Sequence, residues 1–175
     1  MKKILAICLL VMAILGIVFA FGGVADMGTT NAAYLRVHIR ADSNETEAQA
    51  VKYKVRDAVV NYLTPTVAEC ETKEIAMQKI GEKLPEIEAV AERVLRANGF
   101  SYGAKASLRK EEFPTRVYED VTLEAGVYDA LILELGSGKG DNWWCVVYPP
   151  LCFSAGGGNI VYKSKIAEII QKFFG

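Results

Sequence analysis

The sequence predicts an α+β domain, a mainly antiparallel sheet of about five strands with helices packed on one of its faces. Three observations carry that expectation. Leu35, Val37 and Ile39 alternate with Arg36, His38 and Arg40, the period-two signature of a half-buried strand. Residues 45–97 then repeat apolar side chains at three- and four-residue steps. From Ala104 onward the chain returns to short apolar runs divided by Gly and Pro, over connections too short for a parallel crossover, which needs about a dozen residues or more.

Taken in order, Lys2 and Lys3 precede an unbroken apolar run from Ile4 to Ala25 that Asp26 closes. Residues 1–25 therefore read as a signal peptide or a single-span anchor, since the run reaches the roughly 20 residues that cross a bilayer. Gly23-Val24-Ala25 and Val18-Phe19-Ala20 each place small residues where a signal peptidase cuts. A polar linker fills 26–33, and 34–175 forms a single domain. In its first strand one face belongs to the core and the other to water. Asn44 with Glu47 forms an N-cap and opens a helix over 45–63 that Pro65 ends. A second helix covers 72–84 with Ile75, Met77, Ile80 and Leu84 inward. Pro85 starts a third, whose stripe is Ile87, Val90, Ala91, Val94 and Leu95 and whose end is Asn98-Gly99. Strands follow at 104–111, 117–123, 127–135 and 143–148, and the almost wholly apolar 127–135 is the candidate central strand. Gly156 to Gly158 hinge into a closing helix at 162–174.

With 51% hydrophobic and 23% charged residues in a chain of 175, one core is affordable and two are not. The formal net charge of -1, with basic and acidic residues interspersed, argues against nucleic acid as a partner.

His38 is the only histidine, so any histidine-dependent hydrolase must use it. There is no HExxH and no CxxC, and no metal or cofactor is expected. A cysteine nucleophile paired with His38 competes with a solvated strand histidine flanked by Arg36 and Arg40, and the second reading is preferred. Gly136, Gly138 and Gly140 surround Lys139, but the lysine is followed by glycine and then by an apolar strand, which fits a turn and not a phosphate loop. Trp143 and Trp144 are adjacent, so in a strand they point to opposite faces: one can fill the core while the other is covered by a helix, a partner or lipid, and burial of both by the protein's own helices is the open alternative. Glu111-Glu112 and Glu119-Asp120 diverge likewise and read as solvated surface. Cys70, Cys145 and Cys152 are three thiols, which permits one bridge. Tyr148-Pro149-Pro150 turns the chain between Cys145 and Cys152, leaving a disulfide between them and two separately buried thiols as open alternatives.

The strings LRVHIRADSN at 35–44, KVRDA at 54–58, YLTP at 62–65, FPT at 113–115 and above all GSGKGDNWWCVVYPPLCF at 136–153 resemble the stage II sporulation protein R family of endospore-forming bacteria. Asp42 departs from that pattern, where Asn is expected; the change keeps the turn chemistry and adds a charge. The resemblance implies a protein without enzymatic activity, secreted from the forespore into the intermembrane space. There it activates a membrane-embedded aspartic peptidase that processes the sigma-E precursor. On that implication Trp143, Trp144, Arg36, His38 and Arg40 are the candidate contact residues, and the N-terminal segment is the link to the membrane. An exported hydrolase of peptide or cell wall using His38 and Cys145, and a purely structural envelope module, are the alternatives.

Overall fold

The computed structural model describes residues 29–118 and 121–151. The leader, the hinge glycines, Cys152 and the closing helix lie outside the described residues. The chain divides into two units, Met1–Thr30 and Asn31–Gly175, and the second holds the sheet and the helices described below. Within the expected linker, Thr29–Ala32 makes one helical turn.

The α+β class is correct, but the sheet is neither five-stranded nor mainly antiparallel. Strands β1 (Leu35–Arg40), β2 (Ala104–Phe113), β5 (Gly126–Leu135) and β6 (Asn142–Tyr148) form a four-stranded mixed sheet in the order β2-β5-β1-β6. β1 runs parallel to β5 and antiparallel to β6, and β2 is antiparallel to β5. The run expected as one strand at 117–123 is instead a separate two-stranded ribbon of β3 (Arg116–Tyr118) and β4 (Val121–Leu123). Short connections do make sequential strands run in opposite directions, as β5 and β6 do. They do not make them neighbours. β1, released by the long helical excursion that follows it, inserts between those two strands and introduces the parallel pair.

The insertion obliges the 136–141 connection to pass over the end of β1, where the chain turns toward its first helix. Gly140 N donates to Ala41 O at 2.8 Å, Ser137 N to Asp42 Oδ1 at 2.6 Å and Asp141 N to Asn44 Oδ1 at 2.6 Å. A Cβ on Gly140 would fall inside the Ser43 backbone. Gly136 has φ +56° and abuts the Asp42 carboxylate. The glycines thus serve a close backbone crossing. Asp42 is used through one side-chain oxygen, which Asn could supply equally well.

Asn44 is committed to this crossing and does not cap the helix. The capping position is Glu45, whose side chain makes no capping bond. Helix α1 (Thr46–Ala68) also runs through Pro65. Proline inside a helix costs about 3 kcal/mol. Here its ring lies on the exposed side with Asn61, whose carbonyl loses the Pro65 donor, while Val59, Leu63 and Val67 continue the buried stripe past it. Helix α2 (Lys73–Glu82) starts at Thr72, whose hydroxyl accepts from Ile75 N at 3.3 Å. Its buried residues are Ala76 and Ile80, with Met77 half-buried; Ile75, expected inward, is exposed. Helix α3 (Leu84–Ala97) buries Ile87, Ala91 and Leu95, and Gly99 with φ +84° ends it as expected.

These helices cover one face of the sheet, meeting Leu35, Val37, Ile39, Leu131, Leu133 and Val147. The opposite face is not wet. Tyr34, Phe113, Leu123, Tyr128, Ala130, Ile132 and Val146 form a second cluster there, with Tyr118 and Val121 of the ribbon packed against it. The central position of β5 follows the sequence reading, since nearly all of its inner length is buried. Among the described residues, no helix is long and apolar enough to cross a membrane.

Gly140→Ala should lower stability by about 2 kcal/mol or more, because the backbone it strikes is itself hydrogen-bonded and cannot yield. Asp42→Asn should change it by less than about 0.5 kcal/mol. Urea unfolding midpoints of the two variants check both, and equal midpoints would mean that the crossing is loose.

Candidate functional site

The second face of β1 presents Tyr34, Arg36, His38 and Arg40 in a row, crossed by β5 on one side and β6 on the other. Arg36 lies between Ala130 and Val146, His38 between Ile132 and Trp144, and Arg40 between Glu134 and Asn142. Three basic side chains expected on a solvated face are therefore set under an aromatic layer, to very different extents.

Arg36 is completely buried. Its guanidinium carbon lies 4.2 Å from the centre of the Phe113 ring, 4.7 Å from Tyr128 and 5.7 Å from Tyr118. Nη2 donates to the Tyr118 hydroxyl at 2.7 Å, while Nε and Nη1 meet no acceptor. The Tyr128 hydroxyl donates to Glu124 O at 2.6 Å. Burial raises the pKa of Tyr128 against the opposing pull of Arg36. Each ring contact contributes about 0.5–2 kcal/mol, whereas a guanidinium taken out of water without a counter-ion costs several. The cation is cushioned and unpaired.

Arg40 contrasts with it at the rim. Nη1 reaches Glu134 Oε1 at 2.9 Å and Nη2 reaches Glu111 Oε1 at 2.5 Å, and its side chain keeps 25% of its exposure. Arg109 joins the same carboxylates at 3.1 Å and 3.4 Å. Glu111, expected to be plain surface, is thus a bridge between two arginines.

His38, expected in water, is also buried. Its ring stacks on Trp144 with centroids 3.6 Å apart and meets Phe113 edge-on at 6.0 Å. Neither ring nitrogen reaches a partner in hydrogen-bond geometry. Burial is the main reason its pKa falls from 6.5 to about 4; the Asn142 amide and Glu111 pull it upward, and Arg40 and Arg109 push it further down. The imidazole is neutral at pH 7.

The tryptophans take opposite faces as the strand geometry requires. Trp144 lies half-buried over His38, and Trp143 lies half-buried on the helix side, with the Arg56 guanidinium 5.5 Å above its ring. The five candidate residues therefore do not make one surface: Arg36 and His38 are beneath it, Trp144 and Arg40 are near it, and Trp143 belongs to the other face. Cys145 is paired across from Val37, on the helix side, and is disulfide-bonded. Its expected partner Cys152 lies outside the described residues. Cys145 and His38 point to opposite faces of the sheet and cannot form a nucleophile and base. Cys70 is a free, buried thiol whose pKa burial raises. Among the described residues, no three of His, Cys, Asp and Glu stand together as metal ligands.

Phe113, Tyr118 and Tyr128, which surround Arg36, are absent from the sequence-based candidates. The available signal was on β5, where Tyr128, Ala130 and Ile132 place apolar residues on the face assigned to water.

The family model of stage II sporulation protein R matches residues 31–156, a span that includes the strand row, the crossing and the tryptophan pair. The chain belongs to the stage II sporulation protein R family. The Stage II sporulation protein R of Bacillus subtilis (strain 168) is 36% identical over 139 residues, which cover 79% of this chain and 62% of that protein. The chain thus spans less than two thirds of that relative's length. No solved structure matches the chain. Membership in the stage II sporulation protein R family assigns the protein a role in sporulation.

The buried imidazole gives this family member a defined acid response. Between pH 6.5 and about 4 the unfolded chain protonates His38 and the folded chain does not, so stability falls as pH falls through that window. The loss attributable to His38 approaches about 3 kcal/mol at its lower end. Urea titrations at pH 7 and pH 5 should give a smaller pH difference for His38→Phe than for wild type. Equal differences would place the imidazole in water.

Proposed function

We propose that the protein is an exported sporulation signal that works by contact, favouring the active state of a membrane-embedded aspartic peptidase that processes the sigma-E precursor. The observation that carries the non-enzymatic part is the fate of the only histidine. Its ring is buried, stacked on Trp144 and on the opposite face of the sheet from Cys145, which counts against the hydrolase alternative in which the two act as base and nucleophile. Family membership supports the sporulation setting. The apolar leader supports passage from the forespore into the intermembrane space, with the chain released or held at the membrane by that segment.

Contact activation sets a thermodynamic requirement. The signal must bind the active arrangement of the peptidase more tightly than the inactive one, because equal affinities shift no equilibrium. Trp144 and Arg40 at the rim are the contact residues that the fold leaves within reach of a partner, and Trp143 with Arg56 offers a second patch across the sheet.

Co-expression of the chain, the peptidase and the sigma precursor in a non-sporulating cell tests the reading. Processing should appear only when all three are present, and should persist in a His38→Phe variant that folds. A folded chain that gives no processing would remove the proposal, and processing of the precursor without the peptidase would make the chain an enzyme.

A further inference from the structure

We infer that Arg36 is a receptor for one carboxylate presented by a partner polypeptide, reached when the β3–β4 ribbon lifts from the sheet. The inference deepens the contact reading, on which it rests, by naming what the partner must offer.

The two arginines of β1 show the difference between a settled and an unsettled cation. Arg40 is matched by two glutamates. Arg36, four residues earlier on the same face, is completely buried, with Nε and Nη1 unpartnered and no ion pair among the described residues. A second observation points to the same spot. His38 is buried between them with both ring nitrogens unpartnered, and it shares the Phe113 ring with Arg36. Two orphaned polar side chains side by side under one aromatic layer are unusual where buried polar groups are normally satisfied.

The cover is of a kind that can move. The Tyr118 hydroxyl that accepts from Arg36 Nη2 lies on a ribbon whose two strands, among the described residues, pair only with each other, so lifting it breaks no ladder hydrogen bond of the main sheet. The charge of the occupant follows from electrostatics. A monoanion beside the guanidinium makes a neutral pair, whereas a phosphate dianion would leave a net negative charge in a dry aromatic site, where the neutral His38 cannot offset it. A carboxylate also matches the planar donor fork of arginine.

The test uses the full chain, with sodium acetate as probe against sodium chloride and sodium phosphate at matched ionic strength and pH 7. Acetate should shift the Arg36 side-chain Nε–H resonance saturably, and at least threefold tighter in Tyr118→Ala, which removes the internal acceptor and the cover; chloride and phosphate should not. Arg36→Met should abolish the response and melt at or above the wild-type temperature, since an unpaired buried charge is replaced by an apolar side chain. No acetate-specific shift in either wild type or Tyr118→Ala would overturn the inference. So would an Arg36→Met chain that melts well below wild type, because the cation would then be a structural element of the ring cluster. In the co-expression assay, Arg36→Met should fail to support processing at wild-type protein levels; full activity would overturn the assignment of the carboxylate to a partner. Should wild type itself support no processing, the contact reading fails while the acetate result still stands.

Discussion

The insertion of β1 between β5 and β6 is the constraint on which the rest of the structure depends. It gives β1 neighbours on both edges and buries it on both faces, so a strand whose sequence alternates apolar and basic residues must accommodate the basic ones inside. It also forces the connection from β5 to β6 across the end of β1, at a distance only glycine permits. Two of the strings that carry the resemblance to the family, one ending in Asp42-Ser43-Asn44 and the other starting at Gly136, are the two sides of that single crossing.

Once the basic row is enclosed, its members are stabilised by different means. Arg40 lies at the rim and takes carboxylates from β2 and β5. His38 gives up its charge, which is the less costly course for a group of ordinary pKa near 6.5. Arg36 can do neither, because a guanidinium does not deprotonate and no carboxylate among the described residues pairs with it. Three aromatic rings and one hydroxyl offset part of its desolvation. An arrangement that leaves one cation incompletely matched belongs more naturally to recognition than to folding.

The same geometry bears on how a sporulation protein of this family acts. A hydrolase that uses histidine as its base needs that imidazole open to substrate and poised near the working pH. Here the imidazole is closed off and neutral, and Cys145 faces the other layer in a disulfide. What the described surface does offer is aromatic and arginine side chains at two places, Trp144 with Arg40 and Trp143 with Arg56. Those residue types concentrate binding energy at protein interfaces.

The sequence by itself determined the local elements and the α+β class, because periodicity, proline placement and the Asn98-Gly99 ending act over a few residues: α3, the buried β5 and the opposed tryptophans are all legible in it. It also determined the family, through strings that a generic fold does not require. Only the tertiary structure decided strand order, and with it that the basic face of β1 is dry. Period-two alternation specifies which residues share a face, and the solvent on that face depends on what other segments bring to it. Phe113, Tyr118, Tyr128 and Trp144 arrive from four different strands. The helix that continues through Pro65 and the use of Asn44 away from its cap have the same origin: a local preference worth about 1–3 kcal/mol yields when long-range packing and hydrogen bonds contribute more.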